Sequence, residues 1–225
     1  MKITTILTGT IETYYHLLSY PLVKDKNIRI SVPVSCYLIE HKDKKILFDA
    51  GQTVPNYEQN PKANFFVKVT LEETTVSQLA AMNIYPEDID YIVISHTHGD
   101  HCDGVKDFPH SKVVAQRDAA IQLKRFGNEI VLIDGKYDLL EDESIVCIPT
   151  LGHAPGHQSL LLTNNDRSQS LLIGDAIYFP EALEYIPSES EYLEKTDFFN
   201  SLRLLRTMQD NGVKLCFGHY PFYYI

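Results

Sequence analysis

The amino-acid sequence predicts a layered α/β domain, and three observations favour this fold class. The chain has 225 residues, which is long enough to bury a sizeable core without disulfide bonds. Its composition, with 44% hydrophobic and 22% charged residues, is typical of globular proteins. Short β-rich runs alternate with helical runs, and no internal repeat or low-complexity linker separates them. We therefore expect a single domain spanning residues 1–225.

The first half of the chain predicts a hairpin, a loop, a helix and a buried strand. Residues 34–40 and 45–49 are rich in apolar and β-favouring residues and flank a short polar segment, which predicts two strands joined by a turn. Residues 52–70 hold two prolines and several aromatic side chains without a regular period, and they predict a long loop. Apolar residues recur at helical spacing over residues 74–83, which predicts a helix there. The continuous apolar run at residues 90–95 predicts a strand buried on both faces.

The second half continues the alternation of strands and helices. Further apolar runs predict strands at residues 112–115, 145–149, 159–163, 170–173 and 213–217. Segments with one apolar face predict helices at residues 118–125 and 196–211. Gly212 follows the second of these helices and is expected to terminate it, because glycine readily adopts the left-handed conformation found just beyond helix ends.

Charge and cysteine content exclude several classes of function. Lys and Arg number 20 against 30 Asp and Glu, and the resulting net charge of −10 argues against binding to nucleic-acid phosphates. No run approaches the roughly 18 consecutive apolar residues of a membrane span, and the N-terminal residues lack the apolar stretch of a signal peptide. The four cysteines form no Cys-x-x-Cys pair, which favours reduced thiols. We expect a cytoplasmic protein that acts on a small molecule and binds neither nucleic acid nor membrane.

The densest group of chemically active side chains directly follows a predicted core strand. His96, His98, Asp100 and His101 fall within six residues. Neutral imidazole and carboxylate groups are the usual ligands of Zn²⁺ and similar ions. Gly99 gives the backbone the freedom to turn between them. The run predicts a metal site in which the first two side chains face one ion and the last two face a neighbouring ion.

Three more potential ligands each follow an apolar strand, and each comes directly after a glycine. They are His153, Asp175 and His219. Taken alone, such a residue is more often a cap or a satisfied polar group. Taken together with the histidine-rich run, they have the layout of a site assembled at one edge of a sheet, where rigid strands position the ligands.

The order of these motifs resembles the metallo-β-lactamase superfamily. A His-x-His-x-Asp-His run is followed by a Gly-His, a Gly-Asp and a second Gly-His pair, and the resemblance extends over about residues 34–219. Within the superfamily the chain looks most similar to the N-acyl-homoserine lactone lactonases. Three segments carry this closer match, namely residues 152–160, 175–178 and 217–219. The resemblance implies a four-layer αββα sandwich, with two mixed sheets face to face and helices outside.

Carried over residue by residue, the resemblance implies a centre of two divalent cations. Zn²⁺ is expected, with Fe or Mn as alternatives. The implied ligands are His96, His98 and His153 for the first cation, Asp100, His101 and His219 for the second, and Asp175 as a bridge between them. His157 matches a second histidine that usually lies outside the coordinating set, where it would support a ligand.

The resemblance also implies hydrolysis of an ester-type carbonyl. A hydroxide shared by the two cations would attack the carbonyl carbon of a lactone such as an N-acyl-homoserine lactone, and quorum quenching is the implied role. Asp100 would carry a proton from the nucleophile to the leaving alkoxide. Tyr178 would donate a hydrogen bond to the developing oxyanion. Asp100 and Tyr178 are therefore the predicted catalytic residues.

Several alternatives stay open at this point. The function is also compatible with a thioester hydrolase resembling glyoxalase II, with a non-heme iron oxidoreductase that uses the same ligands, or with a non-catalytic sensor. Monomer and homodimer are equally compatible. Cys102 is either a packed thiol or an oxidation-sensitive one. The aromatic residues that are candidates for lining an apolar pocket are Tyr14, Tyr15, Tyr20, Phe65 and Phe66.

Overall fold

The computed structural model describes residues 1–20, 22, 25–60 and 62–224, and the strands in this part of the chain form two sheets. The strands are β1 (Lys2–Tyr14), β2 (Arg29–His41), β3 (Lys44–Phe48), β4 (Phe65–Lys68), β5 (Tyr91–Val93), β6 (Lys112–Gln116), β7 (Ile130–Ile133), β8 (Tyr137–Asp138), β9 (Ile145–Pro149), β10 (Gln158–Thr163), β11 (Gln169–Leu172), β12 (Lys214–Cys216) and β13 (Tyr223–Tyr224). The α-helices are α1 (Tyr15–Leu18), α2 (Thr75–Ala81), α3 (Gly99–Cys102), α4 (Arg117–Leu123), α5 (Glu189–Glu194) and α6 (Thr196–Asp210). Short 3₁₀ helices cover Pro86–Asp88, Asp103–Asp107, Lys124–Phe126 and Pro180–Glu184.

Both sheets contain parallel and antiparallel neighbours. The first sheet has the order β4-β1-β2-β3-β5-β6-β7, and β13 pairs with β2. In this sheet β1, β2 and β3 are antiparallel neighbours, whereas β3, β5, β6 and β7 run parallel. The second sheet has the order β12-β11-β10-β9-β8, in which only the β11–β12 pair is parallel among the described strands.

Apolar side chains on both faces of the sheets account for the layers. Alternate residues of a strand point to opposite faces. In β2, Leu38 therefore packs with α2 and α4 on the outer face, while Tyr37 and Ile39 pack between the sheets. Phe48 and Leu160 meet in that inner core from opposite sheets. Because α6 covers the outer face of the second sheet, the predicted four-layer αββα sandwich is confirmed.

Strand direction brings the carboxyl ends of several strands to one edge of the sandwich. In the first sheet, β3 and β5 run parallel. In the second sheet, β9 and β11 are each antiparallel to β10, and β12 is parallel to β11, so β9, β11 and β12 share one direction. The residues that follow these five strands are the ones that build the site described below.

The structure adds strands that the sequence analysis did not predict, namely β1, β7, β8 and β13. The segment at residues 52–70, predicted as a loop, contains β4. This strand pairs with residues 10–13 of β1, so its formation depends on a partner distant in sequence, which a local pattern does not reveal. The strand predicted from residue 34 begins at Arg29, and its internal Pro33 lies opposite a register shift in β1, where a missing N–H is tolerated.

The predicted helices are present, with shifts of a few residues at their ends. The longest, α6, ends at Asp210, and Gly212 follows with a φ of 86°, as expected for a glycine that terminates a helix. Within the described ranges, no helix is both long enough and apolar enough to cross a membrane.

Candidate metal centre

All seven residues that the sequence predicts as ligands lie together at the edge where the strand ends meet. They fall into two groups, and within each group the potential ligand atoms lie within 4.8 Å of one another. The first group is His96, His98, His153 and Asp175, and the second is Asp100, His101 and His219. This division matches the predicted assignment to two cations, and the role of these residues as ligands stays a prediction.

The three histidines of the first group point their ring nitrogens at a common point. His96 Nε2 lies 2.9 Å from His98 Nδ1, and His153 Nε2 lies 3.2 Å from the former and 3.1 Å from the latter. Ser95 Oγ donates to Asp49 Oδ2 at 2.8 Å, so it accepts from His96 Nδ1 at 3.0 Å. This hydrogen bond leaves the lone pair of His96 Nε2 facing the other two rings.

The second group has the same convergent arrangement. His101 Nε2 and His219 Nε2 are 3.3 Å apart, and Asp100 Oδ2 lies 3.4 Å from each of them. The other ring nitrogen of each histidine is held from behind. His101 Nδ1 donates to Asp49 Oδ2 at 2.8 Å, and His219 Nδ1 donates to the carbonyl oxygen of Pro33 at 2.6 Å. Such hydrogen bonds fix the ring orientation and the tautomer of metal-binding histidines.

Asp175 connects the two groups because its two oxygens face different histidines. Oδ2 lies 3.4 Å from His153 Nε2 in the first group. Oδ1 lies 3.2 Å from His101 Nε2 and 3.3 Å from His219 Nε2 in the second. Although it is buried and close to both rings, Oδ1 receives no hydrogen bond from any described residue. An unpaired buried carboxylate oxygen between two sets of ring nitrogens fits a bridging metal ligand.

His157 lies behind this arrangement and is not oriented as a ligand. Its Nδ1 donates to the carbonyl oxygen of Thr150 at 2.8 Å, so its Nε2 can accept from the backbone N–H of Asp175 at 3.1 Å. Burial lowers the pKa of His157 to about 3, which keeps the ring neutral and suited to this role. The histidine thus holds the backbone of Asp175 in place.

The spacing of the donor atoms fits a metal ion. Tetrahedral Zn²⁺ with Zn–N distances of about 2.0–2.1 Å places its ligand nitrogens roughly 3.3 Å apart. The nitrogens of His96, His98 and His153 are 2.9–3.2 Å apart. Neutral imidazoles arranged in this way cannot all satisfy one another, because each carries only one N–H. A cation at their common point would use all three lone pairs.

The electrostatics of the cluster also favour positive charge. Burial opposes protonation of His219, yet the carboxylates of Asp175 and Asp100 outweigh it and raise the pKa to about 10. Burial likewise opposes ionisation of Asp175, but His101 and His219 hold its pKa well below the usual range. For His153 burial dominates and lowers the pKa to about 4. The carboxylates are therefore ionised and hold protons on His101 and His219, and a divalent cation would take the place of those protons.

Asp49 is a functional residue that the sequence analysis missed. It directly follows β3 and is 1% exposed. Its side chain accepts from the backbone N–H of Ser95 at 2.7 Å, besides the Ser95 hydroxyl and His101 Nδ1. It has a φ of 60°, a left-handed conformation that Asp tolerates better than most residues. A signal for Asp49 exists in the sequence, because it directly follows β3, and β3 runs parallel to β5, the strand that precedes His96.

Asp49→Asn is expected to weaken metal binding and activity by about 10–100-fold, because the amide replaces the carboxylate oxygen that accepts from both His101 Nδ1 and the Ser95 hydroxyl. Metal affinity measured by competition with a chromophoric chelator checks this. Asp90→Asn is the matched control, since Asp90 bonds Lys44 and the backbone N–H of Lys45 away from the cluster. Unchanged metal affinity in Asp49→Asn would contradict the role given to this carboxylate.

Tyr178 lies where the resemblance predicted, beside the bridging candidate. Its hydroxyl donates to Asp175 Oδ2 at 2.9 Å, and its ring centroid lies 5.6 Å from that of His219 and 5.7 Å from that of His153. Burial and the Asp175 carboxylate raise its pKa well above the ordinary value. The phenol therefore stays protonated and keeps its capacity to donate a hydrogen bond.

A cavity of about 770 Å³ opens onto these groups. Asp100, Asp175 and Tyr178 form part of its wall, and apolar side chains from β1, α1, β2 and β4 form another part. Of the aromatic candidates, Phe65 lines the cavity. The other four, Tyr14, Tyr15, Tyr20 and Phe66, are not among the described lining residues.

Cys102 behaves as a packed thiol. Its side chain is buried, and Sγ donates to the carbonyl oxygen of Thr97 at 3.4 Å. Burial raises the pKa of the thiol to about 12, with Arg125 partly opposing the shift. Because the thiolate is the reactive form, a thiol held protonated in this way is inert.

Comparison with known proteins agrees with this geometry. The profile of the metallo-β-lactamase superfamily matches residues 30–219. An N-acyl homoserine lactonase of Bacillus thuringiensis is 32% identical over 174 residues, which cover 69% of this chain and 68% of that protein. The N-acyl homoserine lactonase AttM of Azorhizobium caulinodans is 26% identical over 218 residues, which cover 84% of this chain and 82% of that protein.

A solved structure shows the same fold. It is an N-acyl homoserine lactone hydrolase with the product N-hexanoyl-L-homoserine bound at its catalytic metal centre, and it superposes with a TM-score of 0.80 at 25% identity. The match covers 97% of this chain and 92% of that one. These similarities confirm the predicted resemblance to the lactonases. Since the superfamily profile spans well over half of the sequence, the chain belongs to the metallo-β-lactamase superfamily.

Proposed function

We propose that this protein is a metal-dependent hydrolase that opens lactone rings, with N-acyl homoserine lactones as the favoured substrates. The proposal includes two divalent cations, with Zn²⁺ first and Fe or Mn as alternatives. It is supported by the similarity to lactonases over most of the chain. The observation that carries it is Asp175, whose two oxygens face separate ligand groups in the wall of a substrate-sized cavity.

The proposed ligands divide as the geometry groups them. The set is His96, His98 and His153 for one cation, Asp100, His101 and His219 for the other, and Asp175 for both. When bound, two divalent cations would lower the pKa of water towards about 7 and polarise the substrate carbonyl. These side chains already converge, so they need little rearrangement to act as this donor set, and His101 and His219 would release their protons on binding.

Two side chains of the protein would carry out the remaining steps. Asp100 is ionised, since His101 and His219 outweigh its burial and keep its pKa well below the usual range. It also lines the cavity, so its carboxylate can take a proton from the nucleophile and deliver it to the leaving alkoxide. Tyr178 presents a protonated hydroxyl to the same space, and its one proton could turn from Asp175 Oδ2 to the oxyanion of the tetrahedral intermediate.

Protein loaded with Zn²⁺ is expected to open the ring of N-hexanoyl homoserine lactone, to lose this activity on chelation and to regain it when Zn²⁺ returns. The reason is that the nucleophile and the polarised carbonyl both depend on the cations. Chromatography of the ring-opened acid measures the reaction. The same assay includes a simple γ-lactone, a simple δ-lactone, a glutathione thioester and a phosphodiester.

The panel separates this proposal from the alternatives. If the protein turns over the thioester faster than every lactone, the proposed lactonase activity is wrong and a thioester hydrolase is supported. Coloured, iron-loaded protein that turns over no lactone would support the oxidoreductase. If the fully metal-loaded protein turns over none of these substrates, the non-catalytic sensor is the alternative that is supported.

A further inference from the structure

One buried hydroxyl lies between the two ligand groups and contacts a ring of each. Ser95 follows β5, directly precedes His96 and is fully buried. Its Oγ lies 3.0 Å from His96 Nδ1 in the first group and 3.5 Å from His101 Nδ1 in the second. The same oxygen lies 2.8 Å from Asp49 Oδ2. The centroids of the two rings are only 4.2 Å apart. Ser95 therefore lies where the supporting contacts of both groups meet.

The chemistry of these atoms fixes the direction of each hydrogen bond. A carboxylate oxygen only accepts, so the single hydroxyl proton of Ser95 points to Asp49 Oδ2. Oγ then has only lone pairs left for His96, whose Nδ1–H is the donor. His101 Nδ1 donates to Asp49 Oδ2 without an intermediary, at 2.8 Å. One carboxylate oxygen thus supports His101 directly and His96 through the serine hydroxyl.

The first ligand group has no other support of this kind. Within the described part of the chain, the hydrogen-bonded ring nitrogens of His98 and His153 are the ones that face the common point, and their outer nitrogens have no partner. Both rings are also partly open to solvent. His96 is fully buried, and its outer nitrogen is held by Ser95. The orientation of the first group therefore depends on this one hydroxyl.

We propose that Ser95 is a positioning residue through which the Asp49 carboxylate supports the first cation position as well as the second. The inference rests on the proposed pair of cations and adds how their positions are linked. An imidazole that binds a cation through Nε2 becomes a stronger donor at Nδ1, so it gains most from an acceptor with negative charge behind it. A hydroxyl that donates to a carboxylate is such an acceptor, because hydrogen bonds in a chain polarise one another.

The two cation positions should therefore respond differently to loss of the hydroxyl. Ser95→Ala removes the hydrogen-bond partner of His96 Nδ1, whereas His101 Nδ1 keeps the Asp49 carboxylate. We expect cation affinity to fall about tenfold or more at the first position and to change little at the second. Asp49→Asn removes the charge behind both rings, so it should weaken both positions.

NMR of bound cadmium, recorded while Cd²⁺ is added against a competing chelator, measures the two positions separately. The first position offers three imidazoles and the second offers two, and nitrogen and oxygen ligands shift the cadmium resonance differently. In Ser95→Ala the resonance of the nitrogen-rich position is expected to require about tenfold more free Cd²⁺ than in the wild-type protein. The other resonance should appear at the wild-type concentration.

Ser111→Ala is the matched control for this titration. It removes a buried hydroxyl that donates to the carbonyl oxygen of Ile89 at 2.8 Å, outside the ligand groups. Both resonances should then appear at the wild-type concentrations of free Cd²⁺.

Several results would contradict this role of Ser95. Unchanged affinity at both positions in Ser95→Ala would overturn the inference and leave the two-cation proposal intact. An equal loss at both positions would show that the hydroxyl only supports the local fold, which also overturns it. If Ser95→Ala fails to fold, Asp49→Asn decides, because weakening of the second position alone would show that the carboxylate does not act on His96. Binding of a single cation by the saturated wild-type protein would overturn both the inference and the proposed two-cation centre.

Discussion

Asp175→Ala is expected to abolish metal binding at one or both positions and to lower kcat/KM for lactones by about a thousandfold or more. Asp175 faces both ligand groups, so its loss removes the carboxylate whose two oxygens lie against ring nitrogens of each group. It also removes an ionised group that compensates the charge of His101 and His219. The remaining imidazoles would have to hold two cations without a shared anion.

Elemental analysis of the metal bound per chain, made alongside the lactone assay, checks this expectation. The metal content per chain and kcat/KM for the lactone should fall together. Asp134→Ala is the control, because it makes the same substitution at an exposed carboxylate that pairs with Arg117 on the surface. A variant that retains two equivalents of metal and its activity would rule out Asp175 as the bridge.

Tyr178→Phe is expected to lower kcat by about 10²–10³-fold, the usual cost of removing one donor to an oxyanion, while the metal content stays the same. The phenylalanine ring preserves the packing of Tyr178 against His153 and His219. Only the hydroxyl is lost. The effect should therefore appear in kcat more than in KM.

Steady-state kinetics on one lactone, with metal content measured on the same sample, test this expectation. Tyr85→Phe is the control, since that residue lies on the surface outside the cavity. Unchanged kinetics would remove Tyr178 from the mechanism. A loss of metal would instead mean that the hydroxyl acts by supporting Asp175, to which it donates.

Much of the candidate site could be predicted because its residues share a local rule. His96 and Asp175 each follow an apolar strand, and imidazole and carboxylate groups indicate metal binding because they are usual metal ligands. Strand direction then places these positions at one edge. The histidine-rich run itself predicts a division between two ions, and the resemblance adds His153, Asp175 and His219 to that division. The distances in the structure give the same two groups.

Other parts of the site are invisible in the local pattern. Asp49 directly follows β3, and the local pattern predicts only the end of that strand there, because its contacts with Ser95 and His101 are formed across the sheet. Gln52 lies in the segment predicted as a loop, and it lines the cavity with its amide fixed by Thr8 in β1. Supporting residues of this kind are recognised by their contacts. The periodicity of apolar residues predicts helices and strands, but it does not show which distant segments come into contact.

The aromatic candidates show the limit of composition as a guide. Tyr15 stacks on Phe222 with ring centroids 5.1 Å apart and contacts Phe179 at 5.1 Å, so it belongs to an apolar cluster beside the cavity. Phe65 reaches the cavity because β4 pairs with β1. The two side chains are chemically alike, and tertiary pairing alone decides which of them faces the substrate.

The division of the ligands between the two sheets links metal binding to the stability of the whole sandwich. The run at residues 96–101 follows β5 of the first sheet, whereas His153, Asp175 and His219 follow strands of the second. Cations held by both sets would join the two sheets at this edge. Such cations would bind only once the sheets have packed together, so we expect the melting temperature to rise with the concentration of free metal.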